Sequence, residues 1–323
     1  MPSHDPPSER LQLVVPDSAA GSRLDRLLAA QTDLSRSRIQ RLMRSGDVRV
    51  DDAIVSAKFK VRGGESVEIG VRAEAAVDHA PDPSVVLNVV HEDEDVLVVN
   101  KAAGLVMHPA PGALDGTVLN GLLALDPALG TLPRAGIVHR LDKDTTGLFV
   151  VARSARAQAS LTAQLQARTV SRRYQAVVVG TPVAGGTCEE PIGRHPVDRK
   201  RMAVRKGGRE AVTHYRVARR FKAHTLLDVR LETGRTHQIR VHMAHLRLPL
   251  VGDPVYGGRL RMPAGAGDEL QACIRAFSRQ ALHAAELAFL HPSDNQQRCY
   301  QCPMPDDMQV LVDTLEADAE RSP

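Results

Sequence analysis

Short apolar runs of strand length recur along the central and later parts of the chain. Each run has six or seven residues, is rich in valine and leucine, and is bounded by turn-forming or charged residues, which is typical of buried β-strands. Helical periodicity is confined to a few places, notably 154–167 and part of 269–276. Many strands with few helices between them favour an α+β fold on a mixed, largely antiparallel sheet over a doubly wound parallel sheet. The runs are 85–90, 95–100, 147–152, 174–180, 212–218 and 225–231.

The length and composition indicate a soluble protein of more than one domain. A chain of 323 residues is longer than a single hydrophobic core usually serves, so we expect two domains. With 43% hydrophobic and 25% charged residues, the composition is that of a globular protein. No apolar stretch approaches the ~18 residues of a membrane span, and residues 1–10 contain no apolar signal region. We therefore expect a cytoplasmic protein without membrane contact.

The cysteines and histidines do not form a recognisable metal site. Four cysteines in a chain of this length make no disulfide framework, which suits a reducing compartment. Cys299 and Cys302 form the only C-x-x-C pair, and no second pair supplies further zinc ligands. His237, His242 and His245 lie close together in sequence without the H-E-x-x-H pattern of zinc enzymes. Helix packing or phosphate contact is the favoured role for these histidines, and we expect no metal.

Charge is distributed unevenly along the chain. Residues 194–222 contain eleven lysines and arginines against two acids, whereas residues 73–98 contain seven acids and no basic residue. Residues 305–323 contain six acids and one arginine. Such segregation is common in proteins that bind a polyanion, although a solvated basic loop is the plain alternative.

Two amphipathic helices followed by two short strands are predicted near the N-terminus. The first helix begins at Ser22, and the second runs from Ser35 to Gly46. Strands are predicted at 48–50 and 66–70. The second helix presents apolar residues on one face and arginines on the other, which suits an RNA contact. These outward arginines are Arg38, Arg41 and Arg44.

Composition and periodicity together divide the chain into five segments. The boundaries follow from changes in charge, in proline and alanine content, and in apolar period. The predicted segments are a flexible tail over 1–20, a small helix–strand domain over 21–72, a linker over 73–84, a large α+β domain over 85–304, and an acidic tail over 305–323 with one short helix at 308–315.

One loop in the large domain is a candidate for chemistry. Residues 139–146 lie between strand-like flanks, and the loop places the carboxylate of Asp142 beside the guanidinium of Arg140. Loops held by rigid strands are common positions for catalytic groups. Charged residues at the end of a strand, however, more often simply face solvent. The loop alone leaves both interpretations open.

Four separated motifs stand out in the large domain: V-V-N-K-A-A-G-L-V-M-H-P at 98–109, H-R-L-D-K-D-T-T-G-L at 139–148, S-R-R-Y-Q-A-V-V-V-G at 171–180, and the stretch L-E-T-G-R-T-H-Q-I-R-V-H-M-A-H to D-P-V-Y-G at 231–257. Near the N-terminus, R-L-D-R-L-L at 23–28 and S-R-S-R-I-Q-R-L at 35–42 resemble the pattern of an S4 RNA-binding domain. Together the four motifs resemble those of RNA pseudouridine synthases, in the subfamily named for ribosomal large-subunit uridines. One departure is Ala102, where relatives often have proline.

The resemblance implies an isomerase that needs no cofactor. Converting uridine to pseudouridine breaks the N-glycosidic bond, rotates the uracil and forms a carbon–carbon bond to the same ribose carbon. The resemblance places Asp142 at the sugar–base junction, as a nucleophile on the ribose carbon or as a base at the adjacent carbon. Arg240 matches the cation that pairs with this carboxylate in the family. An arginine packed against the sheet edge is the structural alternative for Arg240.

The resemblance also assigns Tyr174 and Arg140. Tyr174 matches an active-site tyrosine that stacks on the uracil and helps to remove the proton from C5, whereas a half-buried strand tyrosine is the plain alternative. Arg140 matches the residue that fills the space left by the extruded nucleotide.

The implied partner is large-subunit ribosomal RNA, with several uridines of one hairpin loop as targets. We expect a monomer, because the sequence shows no exposed heptad pattern and no long apolar patch. A non-catalytic RNA-binding or ribosome-assembly protein is the first alternative. A carboxylate hydrolase that uses Asp144 as a second acid is a weaker one. The residues expected to contact RNA are Arg36, Arg38, Arg41, Arg44, Arg140, Lys200, Arg201, Arg235 and His237.

Overall fold

A computed structural model describes residues 9–32, 36–56, 58–71, 79–110, 113–198, 201–260 and 262–321. The chain separates into two compact units, Met1–Asp78 and His79–Pro323. The division falls inside the segment predicted as a linker. Residues 79–84 nevertheless belong to the second unit, since the Asn120 side chain donates a hydrogen bond to the carbonyl of Ala80.

The N-terminal unit packs two helices on a four-stranded antiparallel sheet. The strand order is β1-β4-β2-β3. Apolar residues at helical spacing, Leu24 and Leu28 in the first helix and Ile39 and Met43 in the second, are buried against the sheet. The elements are β1 (Glu9–Val14), α1 (Leu24–Gln31), α2 (Arg36–Ser45), β2 (Val48–Val50), β3 (Ala53–Ile54) and β4 (Ser66–Val71).

The flexible tail predicted over 1–20 is wrong for the residues from Glu9 onward. Strand β1 pairs with β4 along its whole length, from Glu9 opposite Val71 to Val14 opposite Ser66. Leu11 and Leu13 pack against the core, as their period of two would require. The pairing covers an edge of β4 that would otherwise expose its backbone groups.

The C-terminal unit is built on a nine-stranded sheet in the order β5-β6-β7-β14-β8-β13-β12-β9, with β15 beside β14. Among the described strands, β7 and β14 alone pair in parallel, so the prediction of a mixed, largely antiparallel sheet is confirmed. Strands β10 and β11 form a separate hairpin. The elements are β5 (Asn88–Glu92), β6 (Val96–Lys101), α3 (Val118–Leu125), β7 (Thr146–Ala152), α4 (Ala155–Gln166), β8 (Ser171–Val179), β9 (Gly186–Cys188), β10 (Ile192–Arg194), β11 (Met202–Val204), β12 (Thr213–Arg220), β13 (His224–Leu231), α5 (Gln238–His245), α6 (Asp268–Ala276), β14 (Leu282–Leu290), β15 (Gln297–Gln301) and α7 (Asp306–Glu320).

The acidic tail predicted over 305–323 is instead a packed helix. Helix α7 spans Asp306–Glu320 and buries Met308, Leu311, Val312 and Leu315, which share one helical face. These side chains contact the buried face of α6 in one apolar cluster. Apart from the buried Asp318, the acidic residues of α7 lie outside this apolar stripe, so the overall charge of the segment conceals it.

The acidic and basic segments partly neutralise each other in the fold. Lys222, at the end of the basic stretch, lies 3.3 Å from Asp318 of α7, and Arg219 pairs with Glu316 of the same helix. In the acidic stretch 73–98, the carboxylate of Asp95 pairs with the guanidinium of Arg156 at 2.6 Å. The uneven charge of the sequence therefore overstates the positive surface of this part of the molecule.

The candidate loop is held at the start of β7. Gly147, the second residue of that strand, has a φ of +109°, and a Cβ there would lie 2.3 Å from the Ala284 carbonyl of β14. Only glycine allows the two parallel strands to approach in this way. Across the described residues, no helix is both long and apolar enough to cross a membrane.

Candidate active site

The three residues assigned to catalysis line one cavity of 820 Å³ in the C-terminal unit. Asp142 comes from the loop before β7, Tyr174 from the middle of β8, and Arg240 from the first turn of α5. They are separated by 32 and 66 residues in sequence. The fold thus brings together the groups that the motifs placed in three different segments.

Arg240 forms ion pairs with two carboxylates. Its Nη1 donates to Oδ2 of Asp142 at 3.1 Å, while Nε and Nη2 donate to the two carboxylate oxygens of Asp253 at 2.8 and 2.9 Å. Arg240 is only 5% exposed, and the side chain of Asp253 is fully buried. The planar fork of the guanidinium is the geometry that a bidentate carboxylate requires.

Arg240 and Asp253 favour their charged forms although both side chains are buried. Burial disfavours the guanidinium charge, but Asp253 and Asp142 outweigh it and raise the pKa of Arg240. Burial alone would raise the pKa of Asp253, yet Arg240 and the backbone N–H groups of Val255 and Tyr256 lower it. Asp253 is therefore an anion that holds Arg240 against Asp142. The motif analysis included Asp253 in a quoted stretch and did not recognise this role.

His237 and Tyr256 close the site beside Arg240. His237 precedes α5 in a left-handed conformation, with φ +57°, and its Nδ1 lies 2.8 Å from the Tyr256 hydroxyl. Its Nε2 lies 4.0 Å from Oδ1 of Asp142. Burial lowers the pKa of His237 even though the Asp142 charge opposes this effect. Both Arg240 and Arg201 lie over the Tyr256 ring, at 5.1 and 5.3 Å from its centroid.

Tyr174 occupies a central position in the sheet. It lies in β8 opposite Val229 of β13 and Ala284 of β14, and it is only 6% exposed. Burial raises the pKa of the phenol, so the hydroxyl keeps its proton at neutral pH. A ring fixed between two strands offers a rigid surface on which a base could stack.

Lys101 holds the loop that contains Asp142 through hydrogen bonds to backbone carbonyls, and the sequence analysis did not identify this residue. Its ammonium is buried and donates to three backbone carbonyls, those of Ala102, Leu105 and Lys143, at 2.7, 3.1 and 2.7 Å. Burial lowers the pKa of Lys101 to about 8, although Asp144 and Asp142 favour the charge. The bond to Lys143 holds the residue next to Asp142. A lysine at the end of the apolar strand β6 was the available signal.

His139 also orders this loop. Its Nε2 accepts a hydrogen bond from the backbone N–H of Val150 at 3.1 Å, which requires a neutral ring. Burial, together with the Arg172 charge, lowers the pKa of His139 to about 3. The loop is therefore tied to β7 by a histidine that stays neutral at physiological pH.

The residues expected to contact RNA are distributed unequally over the structure. Arg140 is exposed at the cavity, and Arg235 also lines it while donating to the Glu210 carbonyl at 2.8 Å. Arg44 is exposed in α2. Four further arginines that the sequence did not single out also line the cavity: Arg134, Arg168, Arg172 and Arg209. The side chains of Arg36, Arg38 and Arg41, and the whole of Lys200, lie outside the described residues.

His242 and Cys302 have hydrogen-bond partners within the fold. His242 is buried and bonds the Thr213 hydroxyl and the Glu190 carbonyl, each at 2.9 Å, so its helix-packing role is confirmed. The Cys302 thiol lies 3.3 Å from Nε2 of His283. Over the described part of the chain, His, Cys, Asp and Glu side chains form no group of three or more suited to a metal ion.

Comparison with known proteins extends over nearly the whole chain. The family of RNA pseudouridylate synthases matches residues 95–245, and the S4 domain family matches residues 22–67. The chain is 54% identical to the ribosomal large subunit pseudouridine synthase D of Xanthomonas campestris pv. campestris, over 96% of this chain and 94% of that protein. It is 49% identical to the protein of the same name from Escherichia coli K12, over 97% of each chain.

The solved structures agree on the fold. The structure of human RNA pseudouridylate synthase domain containing 4 aligns with a TM-score of 0.57, over 71% of this chain and 93% of that chain. At 24% identity, this similarity supports the architecture of the large unit.

Acid should destabilise the fold in part through His139. Its pKa is about 3 in the folded protein, whereas an unperturbed histidine in the unfolded chain titrates near ~6.5. The unfolded chain therefore takes up an extra proton between these values, and the free energy of unfolding falls as the pH drops below ~6.5. His139→Gln should reduce the slope of this free energy against pH, near pH ~5, by up to about 1.4 kcal/mol per unit.

Urea unfolding at several pH values would measure this slope, with His245→Gln as the matched control because His245 is exposed. The control should keep the slope of the unsubstituted protein. An unchanged slope in His139→Gln would show that the ring does not stay neutral in the folded state.

Proposed function

The chain belongs to the RNA pseudouridine synthases, a family of isomerases, and we propose that it modifies uridines of large-subunit ribosomal RNA with Asp142 as the reactive carboxylate. The names of its relatives support this substrate. We further propose that it acts as a cytoplasmic monomer on several uridines of one hairpin loop.

The observation that carries the proposal is the position of the Asp142 carboxylate. It faces the cavity with its side chain 14% exposed, and its charge is met by Arg240 at 3.1 Å. Arg235, which also lines the cavity, donates to the Glu210 backbone carbonyl instead. A carboxylate that is partly desolvated and yet paired with a fixed cation remains available as an anion.

The first chemical step would use this anion. Asp142 either attacks the ribose carbon C1′ or removes the proton from C2′, and in both cases the C1′–N1 bond breaks with its electron pair on the uracil. Arg240 lies 3.1 Å from one carboxylate oxygen and His237 lies 4.0 Å from the other, and all three residues line the cavity that would receive the substrate. A base that must react at this depth has to leave the RNA stack.

The second step would use Tyr174. After the uracil has turned, C5 bonds to C1′ while the ester bond to Asp142 breaks or, in the other mechanism, while Asp142 returns the proton to C2′. The proton on C5 is then transferred to N1. The phenol of Tyr174 is buried in the same cavity and holds its own proton at neutral pH, so it suits stacking and relay of a proton through its oxygen. Arg140 is exposed at the cavity mouth, where a planar cation could replace the extruded nucleotide in the RNA stack.

The substrate is a polyanion, and the cavity is rich in arginine. Seven arginines line it, against the carboxylates of Asp142 and Glu232. The match of residues 22–67 to the S4 domain supports a second contact with RNA in the N-terminal unit. A non-catalytic RNA-binding protein would not need a paired carboxylate at the bottom of this cavity, so the enzyme is the better supported alternative.

Asp142→Asn should abolish turnover and leave RNA affinity within a few fold. The substitution removes the reactive anion but keeps the shape of the side chain, and phosphate contacts made elsewhere dominate binding. The measurement is single-turnover pseudouridine formation on a ribosomal RNA fragment, with binding measured in parallel. Asp228→Asn is the control, since Asp228 is exposed on β13. Activity of Asp142→Asn above about one hundredth of the unsubstituted rate would exclude Asp142 as the reactive group.

Neutralising the arginines of α2 should weaken RNA binding and make it less dependent on salt. The variant replaces Arg36, Arg38, Arg41 and Arg44 with glutamine in the full chain. Each lost phosphate contact should reduce the slope of log K against log salt by about 0.7 to 0.9. Catalysis on a short hairpin at saturation should persist. An unchanged slope and affinity would show that α2 does not contact RNA.

A further inference from the structure

Arg172 is a buried cation with few partners. It is the second residue of β8 and only 7% exposed. Within the described residues its guanidinium forms no ion pair, its Nε has no hydrogen-bond partner, and its Nη2 donates to the Glu232 carbonyl at a long 3.3 Å. Its neighbour Arg173 points to the other face of the sheet and pairs with Glu286 at 3.3 Å. The exposed arginine has a carboxylate partner and the buried one does not.

An unpaired charge that is removed from water destabilises a fold unless other groups compensate for it. An apolar residue at this position would avoid the cost. A group that arrives during function and carries negative charge would satisfy the guanidinium. Because Arg172 lines the cavity, a negatively charged group that enters this cavity could pair with its guanidinium.

Two features define the position of the Arg172 guanidinium. Gly234 passes close to it, because a Cβ on that residue would lie 2.7 Å from Nη1. Tyr174 follows two positions later in the same strand, so both side chains emerge on the same buried face. Arg172 is thus fixed next to the ring on which the uracil is proposed to stack.

We propose that Arg172 stabilises the negative charge of the uracil after the C1′–N1 bond has broken. This inference rests on the proposed roles of Asp142 and Tyr174. Arg172 would be the cation that balances the charge of the detached base.

The electron balance of the reaction requires such a group. When the bond breaks, its electron pair stays on N1 and spreads to O2 and O4, so the base is an anion until it bonds again. The same charge arises whether Asp142 bonds to C1′ or removes the C2′ proton. Formation of the C1′–C5 bond uses an electron pair of the anionic ring and returns the negative charge to the Asp142 carboxylate, so the base becomes neutral. Transfer of the C5 proton to N1 then restores the aromatic pyrimidine. A cation fixed in advance stabilises such an anion without reorganisation.

Other arginines of the cavity are better placed to bind the RNA phosphates. Arg134, Arg140 and Arg209 also line the cavity, but all three are exposed, as residues that meet the RNA backbone should be. Arg172 lies at the depth of Tyr174, where the extruded base would be. Its ligand is accordingly the base.

The test compares two target nucleotides in otherwise identical RNA hairpins, uridine and 5-fluorouridine. The electronegative fluorine stabilises the uracil anion, so breakage of the glycosidic bond should depend less on an external cation. At saturating RNA, Arg172→Met should slow breakage in the uridine hairpin by about 100-fold, the loss typical of removing one group that stabilises an anion. The loss with 5-fluorouridine should be several-fold smaller, and RNA affinity should stay within a few fold.

Arg173→Met is the matched control and should react normally with both RNAs. Arg172→Lys keeps the charge and should recover part of the rate, and Gly234→Ala should displace the guanidinium and show the same selective loss in weaker form. These two variants test the proposal even if Arg172→Met does not fold. Equal losses for the two RNAs would overturn the proposal in favour of a structural role. A loss confined to RNA affinity would overturn it in favour of a phosphate contact.

The same hairpins separate this proposal from the proposed function. Asp142→Asn should be inactive on both, because neither base can leave without the carboxylate. If Asp142→Asn were active, the proposed function would fail whatever Arg172 does. If Asp142→Asn were inactive and Arg172→Met lost activity equally on both RNAs, only the role of Arg172 would be wrong.

Discussion

The site depends on one guanidinium held between two carboxylates. Asp253 is fully buried and receives two hydrogen bonds from Arg240, and the third contact of Arg240 reaches Asp142. Removing one partner of a buried ion pair typically costs about 3–5 kcal/mol, because the other charge remains in a medium of low dielectric. The backbone N–H groups of Val255 and Tyr256 complete the bonds of Asp253. Three separate segments must therefore fold correctly before Asp142 can be presented as a paired anion.

The loop that carries Asp142 is also held by two side chains that bond to backbone groups and not to its carboxylate. Lys101 reaches the backbone on one flank of Asp142, and His139 accepts an N–H from β7 on the other. Lys101 lies at the end of β6 and His139 bonds to β7, so two neighbouring strands hold the loop that carries Asp142. This arrangement explains how a short loop can hold a carboxylate at a fixed distance from a helix that lies about a hundred residues further along the chain.

The sequence predicted the valine-rich strands and missed those that do not have this pattern. Strand β14, L-H-A-A-E-L-A-F-L, lies between β7 and β8, but its alanine, leucine and glutamate have high intrinsic helix propensity. Its conformation is imposed by strands on both sides, which local propensity cannot show. The same holds for the site. Asp142, Tyr174 and Arg240 could be predicted from motifs, whereas Lys101 and Asp253 act through other residues and become visible only from long-range contacts.

The pH dependence of Arg240→Met tests most directly whether this guanidinium keeps the carboxylate reactive. Single-turnover rates would be measured from about pH 6 to pH 9, the range over which a buried carboxyl without its partner can titrate. Arg205→Met would serve as the control, since Arg205 is exposed, and thermal unfolding would verify the fold of both variants. We expect Arg240→Met to be strongly impaired at neutral pH and to recover in part as the pH rises, with Arg240→Lys between it and the unsubstituted enzyme. A nearly normal rate with a flat pH profile would contradict the account and reduce Arg240 to a phosphate contact.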